Sequence, residues 1–506
     1  EYRRYVDLMP PPADGKPLKA VLYVEYFSTT GQDEIREKFA QLARAVPGIA
    51  KHDHTDARAM LNAWKLRKAG EPLLHGVPGD RKPITFVEDN AIPVERLGEF
   101  VKRLRAIVTR HGTIAAYWAH ASVGVLHVRP LIDIHSTSDR EIMRQIAVET
   151  ADLAKELGGV MSGEHGDGRV RGPLLERFYG PTIMRAFRDV KSIFDPRNLL
   201  NPGNIVEPRA IESITRSLRV EPDPGKPAQY PAVKTSFVFA DQHGFEGAVE
   251  MCNGAGVCRK KSGGTMCPSY QATLDERHST RGRGNALRLA ITGQSVPPGE
   301  QPWDDPDTID TLNLCLSCKA CKSECPSNVD ISRLKAEYTS QRYQAAGRTP
   351  LSALLFGHVR VLNRLGSLTP AIANRMNRTP LAKWFLRRFA KIDPRRDVPS
   401  FAPSLAKHFK GASAFQHTLT PSTSQHAVAL FGDCFTMFNE TSIGLATRRV
   451  YEALGLRVLL ADAGCCGRSL ISTGLLPQAI DQIDATLERL MPLADNPAIK
   501  IGRAHV

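Results

Sequence analysis

The stretch CLSCKACKSECPSNVDI, residues 315–331, decides the fold of the second half of the chain. Four of its residues are cysteines in the spacing C-x2-C-x2-C-x3-C-P: Cys315, Cys318, Cys321 and Cys325. In this spacing three thiolates wrap one iron–sulfur cluster, and the cysteine before the proline serves a second cluster. Zinc also accepts four thiolates, but it usually takes them from two separated pairs. The spacing therefore favours iron–sulfur clusters over zinc.

An earlier stretch, MCNGAGVCRKKSGGTMCPSY at 251–270, supplies Cys252, Cys258 and Cys267. By the same exchange of ligands, Cys267 is expected to complete the cluster of Cys315, Cys318 and Cys321. The second cluster then has Cys252, Cys258 and Cys325, with a fourth position near Ala255 unfilled. Three ligands suit either a three-iron cluster or a four-iron cluster with a ligand other than cysteine, and the sequence leaves both open.

A third set of cysteines lies near the end of the chain: Cys434 in FGDC, and Cys465 and Cys466 in AGCCGRSL. All ten cysteines follow residue 250, and a disulfide framework is unusual in so long a chain. We expect thiol redox or cluster chemistry in a reducing compartment, hence a cytoplasmic protein. Buried thiols that only pack are the alternative for this third set.

Positive charge is concentrated in one part of the 506 residues, which have a net charge of +14. The segment 331–410 has sixteen Lys and Arg against three acidic residues, which gives +13. Such a segment can meet the anionic inner face of a membrane or an acidic redox partner. A solvated helical face, or contact with a missing domain, is the alternative. A nucleic-acid partner is disfavoured because aromatic residues are not interleaved with the basic ones.

The first 208 residues alternate between strand and helix patterns. We predict a strand over 19–28 and a helix over 31–48, then a strand and a helix within 86–112. Two strands around a glycine turn follow in 113–134, and a long helix covers 138–157. This order predicts an antiparallel sheet with helices on one face.

The remaining chain divides by composition into five segments. They are a Pro-rich linker (209–245), the cysteine domain (246–345), a basic helical segment (346–425), a βαβ-like cysteine-rich domain (426–500) and the ending IGRAHV (501–506). We interpret the last six residues as a sequencing artefact. We also interpret the chain, opening EYRRYVDLMPPP, as a fragment of a longer protein.

Histidines and a carboxylate form a candidate metal site in the first 208 residues. HASVGVLHVRP places His120 and His127 on either side of a glycine turn, and SGEHGDG supplies Glu164 and His165. Two imidazoles and a carboxylate can bind a divalent metal ion and leave positions open for substrate. Arg67, in NAWKLRK, is a candidate clamp for a carboxylate. Taken singly, each histidine is more often a structural residue.

These motifs resemble a known family. WKLRK, FVEDNAIP, HASVGVLHVRP, SGEHGDG and FDPRNLLNPGNIV are similar to the C-terminal substrate (cap) domain of FAD-linked D-2-hydroxy acid dehydrogenases. CNGAGVC, MCPSY, HSTRGRGNALR and CLSCKACKSECP resemble the iron–sulfur region fused to such enzymes. The end resembles the first of two CCG repeats of heterodisulfide-reductase type. The implied fold class is α+β: a ferredoxin-like cap domain, an α-helical two-cluster domain and the start of an α/β CCG domain.

The resemblance also implies roles for single residues. His120, His127 and Glu164 would hold a zinc or manganese ion, Arg67 would bind the substrate carboxylate and His165 would accept the hydroxyl proton. Asn201 and Asn204, in LNPGN, would lie near FAD. Arg129 stands where relatives that act on D-2-hydroxyglutarate have a polar residue. Arg129 implies either a second arginine that binds a substrate carboxylate or a change of substrate.

The implied activity is oxidation of a D-2-hydroxy acid, D-2-hydroxyglutarate or D-lactate, to the 2-oxo acid. Hydride would go to FAD, and electrons would pass through the clusters to a quinone or a carrier protein. We expect the FAD-binding domain and the second CCG repeat to be absent, so that the chain is inactive alone. An electron-transfer subunit without a catalytic site of its own is the alternative. A zinc-binding nucleic-acid protein is the least favoured.

Overall fold

The structure, a computed structural model, describes residues 9, 18–74, 77, 79–216, 218–220, 233–295, 301–414, 427–495 and 499–503. The chain divides into two compact units. The first unit comprises 1–228, 251–257 and 326–328, and the second comprises 229–250, 258–325 and 329–506. The predicted mixture of helices and sheets is confirmed, whereas the predicted domain boundaries stay predictions.

An antiparallel four-stranded sheet forms the centre of the first unit. Its strands are β1 (Lys82–Pro83), β2 (Val87–Ala91), β3 (Ala115–His120) and β4 (Val125–Ile132). β4 pairs with all three others. β2 and β3 both pair with Val125 and Val128 of β4, so they lie on opposite edges of it. Every residue of β4 is buried, including the polar residues His127 and Arg129.

Six α-helices belong to the described residues of the first unit. They are α1 (Gln32–Ala45), α2 (Ala57–Leu74), α3 (Leu97–Arg110), α4 (Thr137–Glu156), α5 (Gly168–Arg171) and α6 (Leu175–Phe194, kinked at Gly180). Of these, α3 and α4 share a core cluster with the sheet. α3 buries Phe100, Leu104 and Ile107, whose spacing makes one apolar stripe. This stripe joins Val128 of β4 and Ile146 of α4 in one core cluster.

The turn between β3 and β4 requires glycine. Gly124 has φ 72°, and a Cβ there would lie 1.9 Å from the carbonyl oxygen of Ile92. The predicted glycine turn is therefore confirmed, and it sets the register that brings His120 opposite Val125.

The strand predicted over 19–28 is wrong, because Ala20–Ser28 has no regular secondary structure. Leu22 and Phe27 are 75% and 82% exposed. No described strand pairs with this segment, and a strand depends on its partner as much as on its own β-branched residues.

The cysteine-rich part of the second unit is helical. Its helices are α7 (Gly244–Glu250), α8 (Pro268–Thr273), α9 (Thr280–Ile291), α10 (Pro306–Asn313), α11 (Ala320–Glu324) and α12 (Ile331–Ala346). α12 buries Glu337, whose carboxylate accepts hydrogen bonds from the amides of Ser236 and Phe237. These bonds attach the described end of the predicted linker, of which 221–232 lies outside the described residues.

Short helices occupy 351–390 of the basic segment, and its predicted bounds stay a prediction. These helices are α13 (Leu351–Gly357), α14 (Val359–Gly366), α15 (Pro370–Asn377) and α16 (Pro380–Phe385), followed by a π-helical turn at Leu386–Ala390.

A parallel sheet completes the second unit. β5 (Ala427–Phe431) lies between β6 (Arg457–Ala461) and β7 (Ile499–Arg503), with helices α17 (Cys434–Phe438), α18 (Thr441–Ala453), α19 (Arg468–Ser472) and α20 (Leu476–Ala494). The predicted βαβ order is confirmed for β5, α18 and β6. β7 includes 501–503, and the artefact interpretation of 501–506 stays a prediction.

None of the described helices is both long and apolar enough to cross a membrane.

Candidate functional site

Three imidazoles surround one carboxylate oxygen in the first unit. Oε1 of Glu164 lies 3.2 Å from Nε2 of His127, 3.2 Å from Nε2 of His165 and 3.7 Å from Nε2 of His120. The rings of His127 and His165 are stacked with centroids 5.1 Å apart, and the ring of His120 is perpendicular to that of His127. The structure thus brings together all four residues of the predicted metal and proton-transfer site.

A β-bulge in β2 shapes the floor of this site. Val87 pairs with Val128 and Asn90 with Leu126, so that Glu88 and Asp89 together face a single residue of β4. Asp89 has φ 75°, a left-handed conformation that turns its side chain out of the regular alternation. The bulge therefore directs two successive carboxylates into the site.

Asp89 fixes the loop that carries Glu164 and His165. Its buried carboxylate accepts hydrogen bonds from the amide of His165 (2.7 Å), the amide of Glu164 (3.0 Å) and the hydroxyl of Ser162 (2.7 Å). Burial alone would raise the pKa of Asp89, but these hydrogen bonds hold it below its ordinary value. Asp89 is a positioning residue that the sequence analysis missed.

Glu88 connects His127 to Arg129. Its carboxylate lies 3.3 Å from Nδ1 of His127 and 3.3 Å from Nε of Arg129. Burial acts to raise the pKa of Glu88, but the interactions with His127 and Arg129 hold it below its ordinary value, and Glu88 in turn raises the pKa of His127. Arg129, predicted to bind substrate, is buried and paired with Glu88, and its guanidinium stacks over Trp118 at 5.6 Å.

Arg171 holds three segments of the site together. Its guanidinium donates hydrogen bonds to the carbonyl oxygens of Glu88 and Gly166 and to the hydroxyl of Ser162. It is 8% exposed, so these contacts are shielded from water.

The side chains fit a divalent metal ion. One ligand atom from each of Asp89, His127, Glu164 and His165 lies within 4.8 Å of the other three. Nδ1 of His127 is buried without a hydrogen-bond partner, although Glu88 is near. Mixed nitrogen and oxygen donors suit zinc or manganese. The carboxylate of Asp89 is already engaged by the loop, which leaves the three imidazoles and Glu164 as the donors best able to turn to a metal.

Two further predicted groups lie outside this cluster. Arg67, on α2, donates from Nη2 to the carbonyl oxygen of Ala119 at 3.4 Å, next to His120. Asn201 and Asn204 lie in an irregular segment after α6, and the amide of Asn204 donates to the carbonyl of Asn201. Their predicted contact with FAD stays a prediction.

In the second unit, the cysteines predicted for the first cluster line one cavity: Cys267, Cys315, Cys318 and Cys321. Their loops have left-handed backbone at Cys267, Ser317 and Lys319, with φ of 55°, 51° and 63°. This curvature lets one short segment present several thiols to the same space. The four thiols therefore fit the predicted cluster.

The surroundings of this cavity disfavour bare thiolates. Burial raises the pKa of Cys321 to about 12 and also raises the pKa of Cys267, against a hydrogen bond with Thr280. Bound iron supplies the positive charge that such thiols need for deprotonation. Arg283 lines the same cavity and is 2% exposed, held by the carbonyl of His278 at 2.6 Å.

The cysteines predicted for the second cluster differ in burial. Cys258 is buried, and Cys252 and Cys325 are half-buried. The carbonyl of Cys252 accepts a hydrogen bond from Arg219 within the first unit. The assignment of these three residues to one cluster stays a prediction.

The CCG cysteines form a third thiol site. Sγ of Cys434 lies 3.7 Å from Sγ of Cys465, and the hydrogen bond between them, with Arg360 nearby, lowers the pKa of Cys434 to about 7. Cys466 is exposed, whereas Cys465 is 5% exposed.

Comparison with known proteins supports the motif resemblance. Residues 13–205 match the model "FAD linked oxidases, C-terminal domain", and residues 248–329 match "4Fe-4S dicluster domain". The chain contains both domains. The matches support FAD and 4Fe–4S clusters as cofactors, whereas a three-iron cluster and a zinc or manganese ion stay predictions.

Several curated proteins are similar over most of the chain. A D-2-hydroxyglutarate dehydrogenase of Pantoea ananatis is 28% identical over 88% of this chain and 45% of its own length. One of Pseudomonas putida is 27% identical over 91% and 48%. A D-lactate dehydrogenase of Archaeoglobus fulgidus is 34% identical over 25% of the chain and 28% of its own length. The chain therefore spans less than half the length of these relatives.

Proposed function

We propose that this chain forms the substrate-binding and electron-carrying part of an FAD-linked dehydrogenase. It would oxidise a D-2-hydroxy acid, D-2-hydroxyglutarate or D-lactate, to the 2-oxo acid. The observation that carries the proposal is the convergence of His120, His127 and His165 on one oxygen of Glu164. The names of the relatives supply the substrate class.

In this proposal His120, His127 and Glu164 hold a zinc or manganese ion, and the FAD-linked oxidase domain adopts the ferredoxin-like cap fold. Such a metal would supply a Lewis acid for the substrate hydroxyl, FAD would supply the hydride acceptor, and the clusters would supply one-electron carriers toward a quinone or a carrier protein.

The chain's own residues bind and orient the substrate. Arg67 would bind the substrate carboxylate, because its guanidinium reaches the strand that ends at His120. His165, whose side chain is 48% exposed, would take the hydroxyl proton at an imidazole nitrogen. The amide of His165, held by Asp89, keeps that ring in place.

A metal-binding measurement tests the site. We expect the full chain to bind Mn²⁺ with a change in its EPR spectrum, and His127→Ala or Glu164→Gln to weaken this binding at least tenfold. His111→Ala is the matched control, because His111 pairs with Glu149 away from the site. If both site variants bind Mn²⁺ and Zn²⁺ like the unaltered chain, these residues do not hold a metal and the metal site is refuted.

A substrate screen tests the reaction. With FAD and a dye acceptor supplied to the enzyme that contains this chain, we expect D-2-hydroxyglutarate or D-lactate to reduce the dye. Arg67→Lys should raise KM more than it lowers kcat, and His165→Ala should lower kcat. If no 2-hydroxy acid reduces the flavin, the proposal fails. Full activity of His120→Ala without metal would favour the electron-transfer subunit instead.

Iron counting with low-temperature EPR tests the clusters. We propose a four-iron cluster on Cys267, Cys315, Cys318 and Cys321, and a second cluster on Cys252, Cys258 and Cys325. A three-iron EPR signal would assign the missing ligand to that second cluster, whereas two four-iron signals would require a ligand other than cysteine.

A further inference from the structure

The helices α13–α16 and the following π-helical turn have an unusual combination of residues on their surface. Residues 351–391 include eight Lys and Arg and no Asp or Glu. Arg360 pairs with Asp462 and is only 15% exposed, whereas the other seven lie on the surface. The same forty-one residues expose eleven large apolar side chains: Leu351, Phe356, Val361, Leu362, Leu365, Leu368, Ile372, Met376, Leu381, Trp384 and Phe385. We call these residues, with their basic neighbours, the basic–apolar face.

The apolar residues alternate closely with cations. Ile372 and Met376 of α15 are each 61% exposed beside Arg375. Leu381 and Trp384 of α16 are 75% and 59% exposed, and the exposed Arg387 and Arg388 follow them directly. An ordinary surface helix buries its apolar stripe and exposes polar residues. These helices expose both kinds of residue.

The inner side of the helices is fixed by specific contacts, so the exposed residues are not displaced core residues. Asn374 donates from Nδ2 to the carbonyl oxygen of Phe401 at 2.9 Å and accepts from its amide at 2.8 Å. Ser367 donates to the carbonyl oxygen of Ala402 at 2.7 Å, and Asn363 is 6% exposed. The packing of α14 and α15 thus leaves the basic–apolar face outward.

We propose that the basic–apolar face binds the surface of an anionic lipid bilayer. Interfacial helices combine Lys and Arg with Trp, Phe and Leu in this way, the apolar groups entering the headgroup boundary while the cations meet lipid phosphates. Long basic side chains can bury their stems and keep their charges at the headgroups. A nucleic acid, or a protein surface that offers only acidic groups, would match the charge but leave exposed groups such as Leu381 in water.

This inference is independent of the proposed catalytic function, because its test needs no turnover. The full chain with its clusters is sedimented with vesicles of phosphatidylcholine alone or with one third phosphatidylglycerol. We expect binding to the anionic vesicles only. Salt at about 1 M should release the protein, because the Debye length falls to about 3 Å.

Two pairs of substitutions separate charge from apolar contact. Arg387→Gln with Arg388→Gln should weaken binding roughly thirtyfold, at about 1 kcal/mol per cation. Leu381→Ser with Trp384→Ser should weaken it about tenfold or more.

The controls remove equivalent groups from other surfaces. Lys102→Gln with Arg105→Gln removes two exposed cations of α3, and Val450→Ser with Leu454→Ser removes two apolar residues that are 59% and 69% exposed. Both controls should bind like the unaltered chain, and all variants should keep its far-ultraviolet circular dichroism.

Three outcomes would overturn the proposal. The first is equal binding, or none, to anionic and neutral vesicles. The second is unchanged binding in both altered pairs. The third is that the unaltered chain binds no vesicles but self-associates, and that this self-association disappears in the Leu381→Ser/Trp384→Ser variant. The face would then be a contact between copies of the chain.

Discussion

Replacing Asp89 with Asn should loosen the loop that carries Glu164 and His165. The substitution keeps the size of the side chain but removes its charge, and it turns an amide NH₂ toward groups that are themselves donors. A hydrogen bond to a charged group contributes about 1.5–3 kcal/mol, against about 0.5–1.5 for a neutral one. Three donors reach the carboxylate, so the loss is about 1 kcal/mol each and about 3 kcal/mol in total.

Hydrogen exchange with peptide-level mass spectrometry measures this loss in the intact chain. If the free energy of local opening falls by about 3 kcal/mol, the amides of Glu164 and His165 should exchange on the order of a hundredfold faster than in the unaltered chain. Asp152→Asn is the control: its carboxylate forms a half-exposed ion pair with Arg177, and removing such a pair costs about 0–1 kcal/mol. If the two loop amides of Asp89→Asn exchange at the unaltered rate, Asp89 does not position the loop.

Three more predictions concern stability. Gly124→Ala should block folding of the β3–β4 hairpin, since the new Cβ would meet a backbone oxygen at 1.9 Å, and circular dichroism of the first unit's sheet should report it. Asp139, whose carboxylate accepts two bonds from Arg81, has a lowered pKa because of that pairing against the effect of burial. Its contribution should be complete above about pH 4 and lost as the pH falls through the folded-state pKa, so Asp139→Asn should flatten this part of the acid-unfolding curve. Glu337→Gln should destabilise by about 1–3 kcal/mol by weakening buried bonds to backbone amides, measured by denaturant unfolding.

Each of these has its own check. Gly112→Ala, at φ 69° with open space around its Cβ, should cost far less than Gly124→Ala. A hairpin intact in Gly124→Ala would contradict the turn geometry. If Asp139→Asn unfolds in acid like the unaltered chain, the Asp139 carboxylate contributes little to stability. An unchanged unfolding midpoint in Glu337→Gln would show the same for Glu337.

Local patterns made part of the molecule predictable. The cysteine run at 315–325 follows from the spacing that cluster ligation demands, and the β3–β4 hairpin follows from two apolar runs around Gly124. The strand prediction for 19–28 is wrong because the segment has the residue pattern of a strand, but strand formation also depends on a partner strand elsewhere in the chain.

The residues that position the histidine site, Asp89 and Arg171, could not be predicted from local sequence patterns. Asp89 acts on amides 75 and 76 residues later in the chain, and Arg171 bonds to a carbonyl 83 residues earlier. The only local signal was two successive acids, Glu88 and Asp89, inside the short strand VEDNA. Their meaning depends on a bulge that becomes visible once β2 is aligned with β4.

The shared carboxylate of Glu88 restricts how this site can change. Because Glu88 faces His127 on one side and Arg129 on the other, residue 129 is not an independent determinant of substrate choice. Removing the arginine would leave a partly buried acid with one partner fewer and shift the proton affinity of the histidine beside it. Residues 88 and 129 should therefore vary as a pair among proteins that share this bulge, and a library that redesigns substrate preference should randomise both together.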